Sequence, residues 1–161
     1  MKISKTNAMR QFDKNKFKYE VYTYDASDGN IDGISVAKKC NQDPKMVYKT
    51  LVARGHSKKI YVFVINILNE LDLKKCAKAV NEKNIEMVHV NELLGLTGYI
   101  RGGCSPVGMK KNYPTIISDT IYSIDSIIFS GGKIGYQIHS STEDLINITN
   151  AQIANVIMGE I

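Results

Sequence analysis

Cysteine is scarce and scattered. Cys40, Cys76 and Cys104 lie far apart, and no two share CxxC spacing. An odd count also argues against a disulfide framework. Both features predict a reducing compartment, the cytoplasm. Long hydrophobic runs are missing too. No stretch approaches the ~20 apolar residues of a membrane helix. The opening MKISKTNAMRQF lacks the apolar run of a secretory signal. No membrane partner is expected. Histidine is limited to His56, His89 and His139, and no His/Cys/Asp/Glu cluster has metal-ligand spacing. No metal or other cofactor is expected. A GxSxG elbow, a Walker loop and a GxGxxG turn are all absent, which argues against a serine-hydrolase elbow, a P-loop and a dinucleotide fold. With no repeat, low-complexity segment or linker, residues 1–161 are expected to form one domain.

What is present is ordinary for a globular chain: 43 % apolar and 23 % charged residues. The 161 residues are enough to bury a sizeable core. Net charge is +5 and the pI is near 9.0. That balance suits a polyanionic partner such as RNA.

Periodicity and punctuation predict the elements. Residues 4–16 read as a helix capped by Ser4 or Thr6, and residues 18–24 (KYEVYTY) as a strand. A short helix follows over 34–40. Residues 46–53 read as a strand or a short helix running into one, and strands are expected over 60–65, 85–88 and 113–119. Asp72 is placed to cap a helix over 73–80. Residues 90–94 make a helical turn that Gly95 should stop. The runs 126–130 and 134–138 flank Gly131-Gly132-Lys133 as a hairpin. Ser141 to Asp144 resembles a capping box, and a last helix is expected over 150–158. About seven strands with irregularly placed helices predict an α+β fold with a mixed, strongly curved or barrel-like sheet.

The stretch 97–111, TGYIRGGCSPVGMKK, stands out. Gly102, Gly103, Pro106 and Gly108 fall within seven residues. Such a loop is either a tight connection or a cradle of main-chain N–H groups for an oxyanion or phosphate. Lys49 is the second conspicuous residue. In a strand over 46–53 it shares a face with Val47 and Leu51. An ammonium on an apolar face must snorkel, pair with an acid, or meet a ligand. Tyr24 ends one strand and Ser130 another, where side chains often line a site. Cys104 would need a base to act as a nucleophile, and no histidine can be placed beside it.

These residues together resemble the YbaK/EbsC family, related to the editing domain of bacterial prolyl-tRNA synthetases. Five blocks in order carry the resemblance: Thr23-Tyr24-Asp25, Tyr48-Lys49-Thr50-Leu51, Leu73 to Ala77 (LKKCA), the stretch from Thr97 to Lys111, and Ser130-Gly131-Gly132-Lys133 with Gly135. The resemblance implies a mixed, barrel-like sheet with surrounding helices and an aminoacyl-tRNA deacylase of hydrolase or lyase type. Its typical substrate is cysteine mischarged on tRNA(Pro), with prolyl-tRNA synthetase as a further partner. It assigns Lys49, Gly102 and Gly103 to catalysis, and Tyr24, Thr50 and Ser130 to the substrate pocket. In the family the substrate's own thiol is thought to attack its carbonyl, so the protein need supply no nucleophile. Lys110 and Lys111, with Lys74, Lys75 and Lys78, would meet tRNA phosphates. Cys104 and Arg101 depart from the aliphatic residues common in the family.

Three other readings stand beside this one. The same site could edit alanine or another small amino acid on tRNA(Pro) by water attack. A non-catalytic tRNA- or synthetase-binding module would need neither Lys49 nor the loop. A small-molecule hydrolase would need a nucleophile–base pair that the sequence does not display.

Overall fold

The computed structural model describes residues 3–159. Helix α1 (Asn7–Lys14) begins at Thr6, whose side chain accepts from Met9 N. Its apolar spacing buries Ala8, Met9 and Phe12 on one face. Strand β1 (Glu20–Thr23) and helix α2 (Gly33–Lys39, capped by Asp32) follow. A short 3-10 turn over Pro44–Met46 leads into β2 (Tyr48–Gly55), which forms an antiparallel hairpin with β3 (Ile60–Asn66). Helix α3 (Leu73–Ala79) starts where Asp72 accepts from Lys74 N and Lys75 N, as its sequence predicts. Strand β4 (Ile85–Met87) pairs with β2.

Helix α4 runs over Val90–Thr97, past the expected stop at Gly95. Gly98 ends it instead, at φ +84, the left-handed conformation that glycine adopts without strain. Gly95 keeps a helical place because α4 carries the chain on to the glycine loop. Strands β5 (Thr115–Ser118), β6 (Ser126–Ser130) and β7 (Tyr136–Ser141) come next, with β6 and β7 forming the expected hairpin. Ser141 caps α5 (Thr142–Thr149).

The helix expected over 150–158 does not form. Asn150 adopts a left-handed φ of 51° and turns the chain out of α5. Residues Gln152–Ala154 then become β8, a parallel edge strand on β5. Further on, Asp72 N donates to Val156 O (2.8 Å) and Met158 N to Glu70 O (2.8 Å). The open edge of β5 and the Glu70–Asp72 segment thus claim backbone groups that a terminal helix would have paired with itself.

The strands form two sheets, β1-β7-β6 and β4-β2-β3-β5-β8. A single parallel bridge, Val47 to Ile128, ties them together. This is the expected mixed α+β architecture, with eight strands among the described residues. Val62 and Val64 of β3 face a core shared with Phe12, Ile127, Phe129, Ile138 and Leu145. Phe63 and Ile65 face a second core with Cys76 and Ala77 of α3. Burial on both sides explains why β3 is apolar from Ile60 to Ile65. Fully buried Phe12, Phe63 and Phe129 each contribute about 1.5–3 kcal/mol of transfer free energy.

Candidate active site

A pocket of about 140 Å³ opens where the start of β2 meets the end of β6 and the glycine loop. Its lining includes Tyr24, Lys49, Thr50, Gly102 and Ser130, five residues picked out from the sequence and far apart along it. They arrive on four supports, with Lys49 and Thr50 sharing β2. Tyr24 follows β1, and its N–H donates to Gly135 O at 2.9 Å. Lys49 and Thr50 sit opposite Ile65 and Val64 in the β2–β3 register. Ser130 ends β6, where its Oγ accepts from Gly132 N at 3.2 Å.

Lys49 is half-buried, and among the described residues it enters no ion pair. Its neighbours on the same face, Val47 and Leu51, pack into apolar clusters. No acid therefore compensates its charge, so an anionic or strongly polar ligand is its natural partner. Thr50 Oγ1 is buried and has no hydrogen-bond partner among the described residues. Orphaned buried hydroxyls are uncommon in folded proteins. This one belongs to a residue of the pocket wall, and its oxygen is covered, so a ligand reaches it only when that wall shifts.

The loop contributes by closeness of approach. Gly102 lies at φ +85, and a Cβ there would come 2.6 Å from Ile31 Cδ1. Gly103 is not in the pocket wall. Its N–H donates to Ile100 O (3.0 Å), whereas the Gly102 N–H has no hydrogen-bond partner among the described residues. A Cβ on Gly103 would stand 2.9 Å from Ile134 N, so this glycine lets the loop lie against the β6–β7 hairpin. Cys104 does line the pocket, at 8 % exposure. Burial pushes its thiol up to about 11, and no histidine lines the pocket with it. A protonated thiol without a base is not a nucleophile.

The lysines expected to meet tRNA lie elsewhere. Lys111 lines a separate cleft, and the stem of Lys110 rests against Gly98. Lys75 of α3 is engaged structurally, donating to Ile157 O at 2.8 Å. Among the described residues no group of three or more His, Cys, Asp or Glu side chains is arranged to hold a metal. Among the same residues no helix is long and apolar enough to cross a membrane.

Sequence reasoning missed Tyr48, Tyr136 and Gln137, which also line the pocket. Gln137 Oε1 accepts from Gln42 Nε2 at 2.6 Å across 95 positions of chain. Burial raises the Tyr48 phenol, which pairs with Thr120 Oγ1 at 2.7 Å. Tyr48 had a visible signal, adjacency to Lys49; the glutamine pair had none.

Residues 32–148 match the family model described as "Aminoacyl-tRNA editing domain". A curated relative from Enterococcus faecalis (strain ATCC 700802 / V583), "Putative Cys-tRNA(Pro)/Cys-tRNA(Cys) deacylase EbsC", is 42 % identical over 156 residues. That alignment covers 97 % of this chain and 95 % of the relative. Among solved structures, the crystal structure of a "putative trans-editing enzyme for prolyl tRNA synthetase" superimposes with a TM-score of 0.85 at 23 % identity, over 95 % of this chain and 96 % of that one. The crystal structure of "hypothetical protein APE2540" does so with a TM-score of 0.85 at 18 % identity, over 95 % of this chain and 100 % of that one. At these identities the structural matches speak for the fold.

Proposed function

The chain belongs to the aminoacyl-tRNA editing (YbaK/EbsC) family, and on that premise we propose that it is a trans-editing deacylase that clears cysteine mischarged on tRNA(Pro). Residues 1–161 act as one editing domain, of which the first two and last two lie outside the described residues. The two sheets, bridged at Val47 and Ile128 and sharing one core, are read as a strongly curved, barrel-like wrap. The setting is cytoplasmic, with prolyl-tRNA synthetase as the partner that charges the wrong amino acid.

The observation that carries this reading is convergence in one small pocket. Lys49, which enters no ion pair among the described residues, Thr50 and Gly102 all line it. The choice of cysteine follows the Enterococcus relative, whose name gives both Cys-tRNA(Pro) and Cys-tRNA(Cys); tRNA(Pro) is the one proposed here. In the reaction, the substrate's sulfur attacks its own carbonyl carbon. The ester C–O bond breaks, and the ribose oxygen leaves with the proton that the thiol gives up. The products are a thiolactone and free tRNA. No water is consumed, so the cleavage is of lyase type. The protein supplies proximity by holding thiol and carbonyl together. It also supplies charge stabilisation, with the Gly102 N–H and Lys49 facing the developing oxyanion. Gly103 keeps that amide in place by letting the loop seat against the hairpin. Tyr24, Thr50 and Ser130 hold the amino acid or ribose by hydrogen bonds, while Lys110 and Lys111 meet the tRNA backbone.

The test is deacylation of Cys-, Ala- and Ser-tRNA(Pro) by the wild type and Lys49→Ala. Loss of cysteine alone, slowed about 10²–10³-fold in the variant, is expected, the scale of removing one oxyanion donor. Wild-type rates in a folded Lys49→Ala would remove Lys49 from the site. Loss of alanine instead would replace the thiol with water. Binding without any loss would leave a non-catalytic module.

A further inference from the structure

The cleft that Lys111 lines is larger than the pocket, about 770 Å³ against about 140 Å³. It falls within the ~300–1,000 Å³ typical of ligand sites. The two cavities share no lining residue, and the glycine loop divides between them. Gly102 and Cys104 wall the pocket, and residues 106–109 wall the cleft.

Most polar groups of the cleft are already engaged. Tyr113 Oη donates to Leu96 O (2.6 Å), Thr115 Oγ1 to Tyr113 O (3.1 Å) and Thr149 Oγ1 to Leu145 O (2.7 Å). Gln152 donates to Ala79 O at 3.0 Å. Three carboxamides stand open to solvent with no protein partner among the described residues: half-buried Gln11 of α1, and exposed Asn112 before β5 and Asn150 at the end of α5. Lys111 is the one charged side chain in the wall.

A carboxamide carries donor and acceptor in one plane, the complement of a base edge. A phosphate track would gain from every added cation, and one lysine does not make such a track. Pro106, Pro114 and Met109 offer apolar surface against which a flat ring can lie. Unpaired bases are what proteins read in RNA, by stacking and by their exposed edges. We infer that this cleft binds an unpaired base of the tRNA, with a neighbouring phosphate on Lys111. The inference rests on the tRNA-editing reading and says where the RNA beyond its aminoacylated end is held.

The test measures binding of deacylated tRNA(Pro) to the wild type, Asn112→Leu, Gln11→Leu and the double variant, across a salt series. Asn150 is left intact because its φ of 51° suits asparagine. Each single change is expected to weaken tRNA binding about ten-fold, with the salt slope unchanged because no cation is lost. Cleavage of 3′-O-cysteinyl-adenosine, which offers the pocket its ester and no further nucleotide, should keep its wild-type rate. Unchanged tRNA affinity in the double variant overturns the inference. Equal loss of tRNA binding and of cysteinyl-adenosine cleavage also overturns it, because the defect would then be structural. Weakened tRNA binding in a protein that never cleaves cysteinyl-adenosine supports the cleft and sinks the deacylase reading.

Discussion

Alanine at position 103 would place a methyl group against backbone. The added Cβ would lie 2.9 Å from Ile134 N, 3.1 Å from Lys133 C and 3.2 Å from Lys133 Cα. None of these atoms is the loose end of a side chain. The hairpin that carries them is fixed by Gly131 N to Tyr136 O (2.9 Å), Tyr136 N to Lys133 O (3.0 Å) and Tyr24 N to Gly135 O (2.9 Å). Either the loop or the hairpin must give way. Overpacking of this kind costs about 1–3 kcal/mol, which for a chain of this size lowers Tm by roughly 2–12 °C. A displaced loop also carries the Gly102 amide off its position, and a misplacement of about 1 Å can cost about 10²-fold in rate. Thermal melting and Cys-tRNA(Pro) deacylation read both effects. Gly95 is the internal control. It lies within α4, and a Cβ added there would meet nothing within 4 Å, so Gly95→Ala should stabilise by about 0.5–1 kcal/mol. If Gly103→Ala melts and deacylates like the wild type, close approach does not constrain the loop.

Thr50→Val removes a hydroxyl that nothing among the described residues satisfies. Tm should hold or rise, while deacylation falls about 2- to 10-fold, the worth of one hydrogen bond; a fall in Tm with full activity would mean the hydroxyl is structural. Glu82 accepts from Tyr61 Oη (2.6 Å) and from Ser57 N and Oγ, which hold its carboxyl down at about 2. A lowered folded pKa contributes stability that is present above the ordinary value of 4.5 and is lost as pH falls toward about 2. Tm measured over pH 2–5 should therefore drop less steeply in Glu82→Gln than in the wild type, and parallel curves would refute the linkage. Burial pushes the Cys104 and Cys76 thiols up to about 11 and about 12. At pH 8 both should resist iodoacetamide in the native protein, and Cys104→Ser should keep deacylase activity; rapid labelling of Cys104 that abolishes activity would reinstate it as a reactive group.

Local pattern determined much of this protein. The apolar run of β3, the Thr6, Asp72 and Ser141 caps, and the turn between β6 and β7 all follow from forces acting within a few residues. Lys49 was legible because a charge interrupts an apolar face, and the loop because its glycines are dense. Ordered blocks of sequence, not any single motif, pointed to the family. What remained depended on contacts between distant segments. The 150–158 stretch has a composition that suits a helix, yet an unpaired edge of β5 draws part of it into a strand. Gly95 reads as a stop because helix ends are set partly by what the helix must reach, and here Gly98 marks the end. The meeting of Tyr24, Lys49, Thr50, Gly102 and Ser130 in one pocket, the engaged N–H of Gly103, and the Gln42–Gln137 bond are decided only when two sheets close on a shared core. Propensity and capping act over one turn or one strand; a site is assembled by packing and hydrogen bonds that join residues across the whole length of the chain.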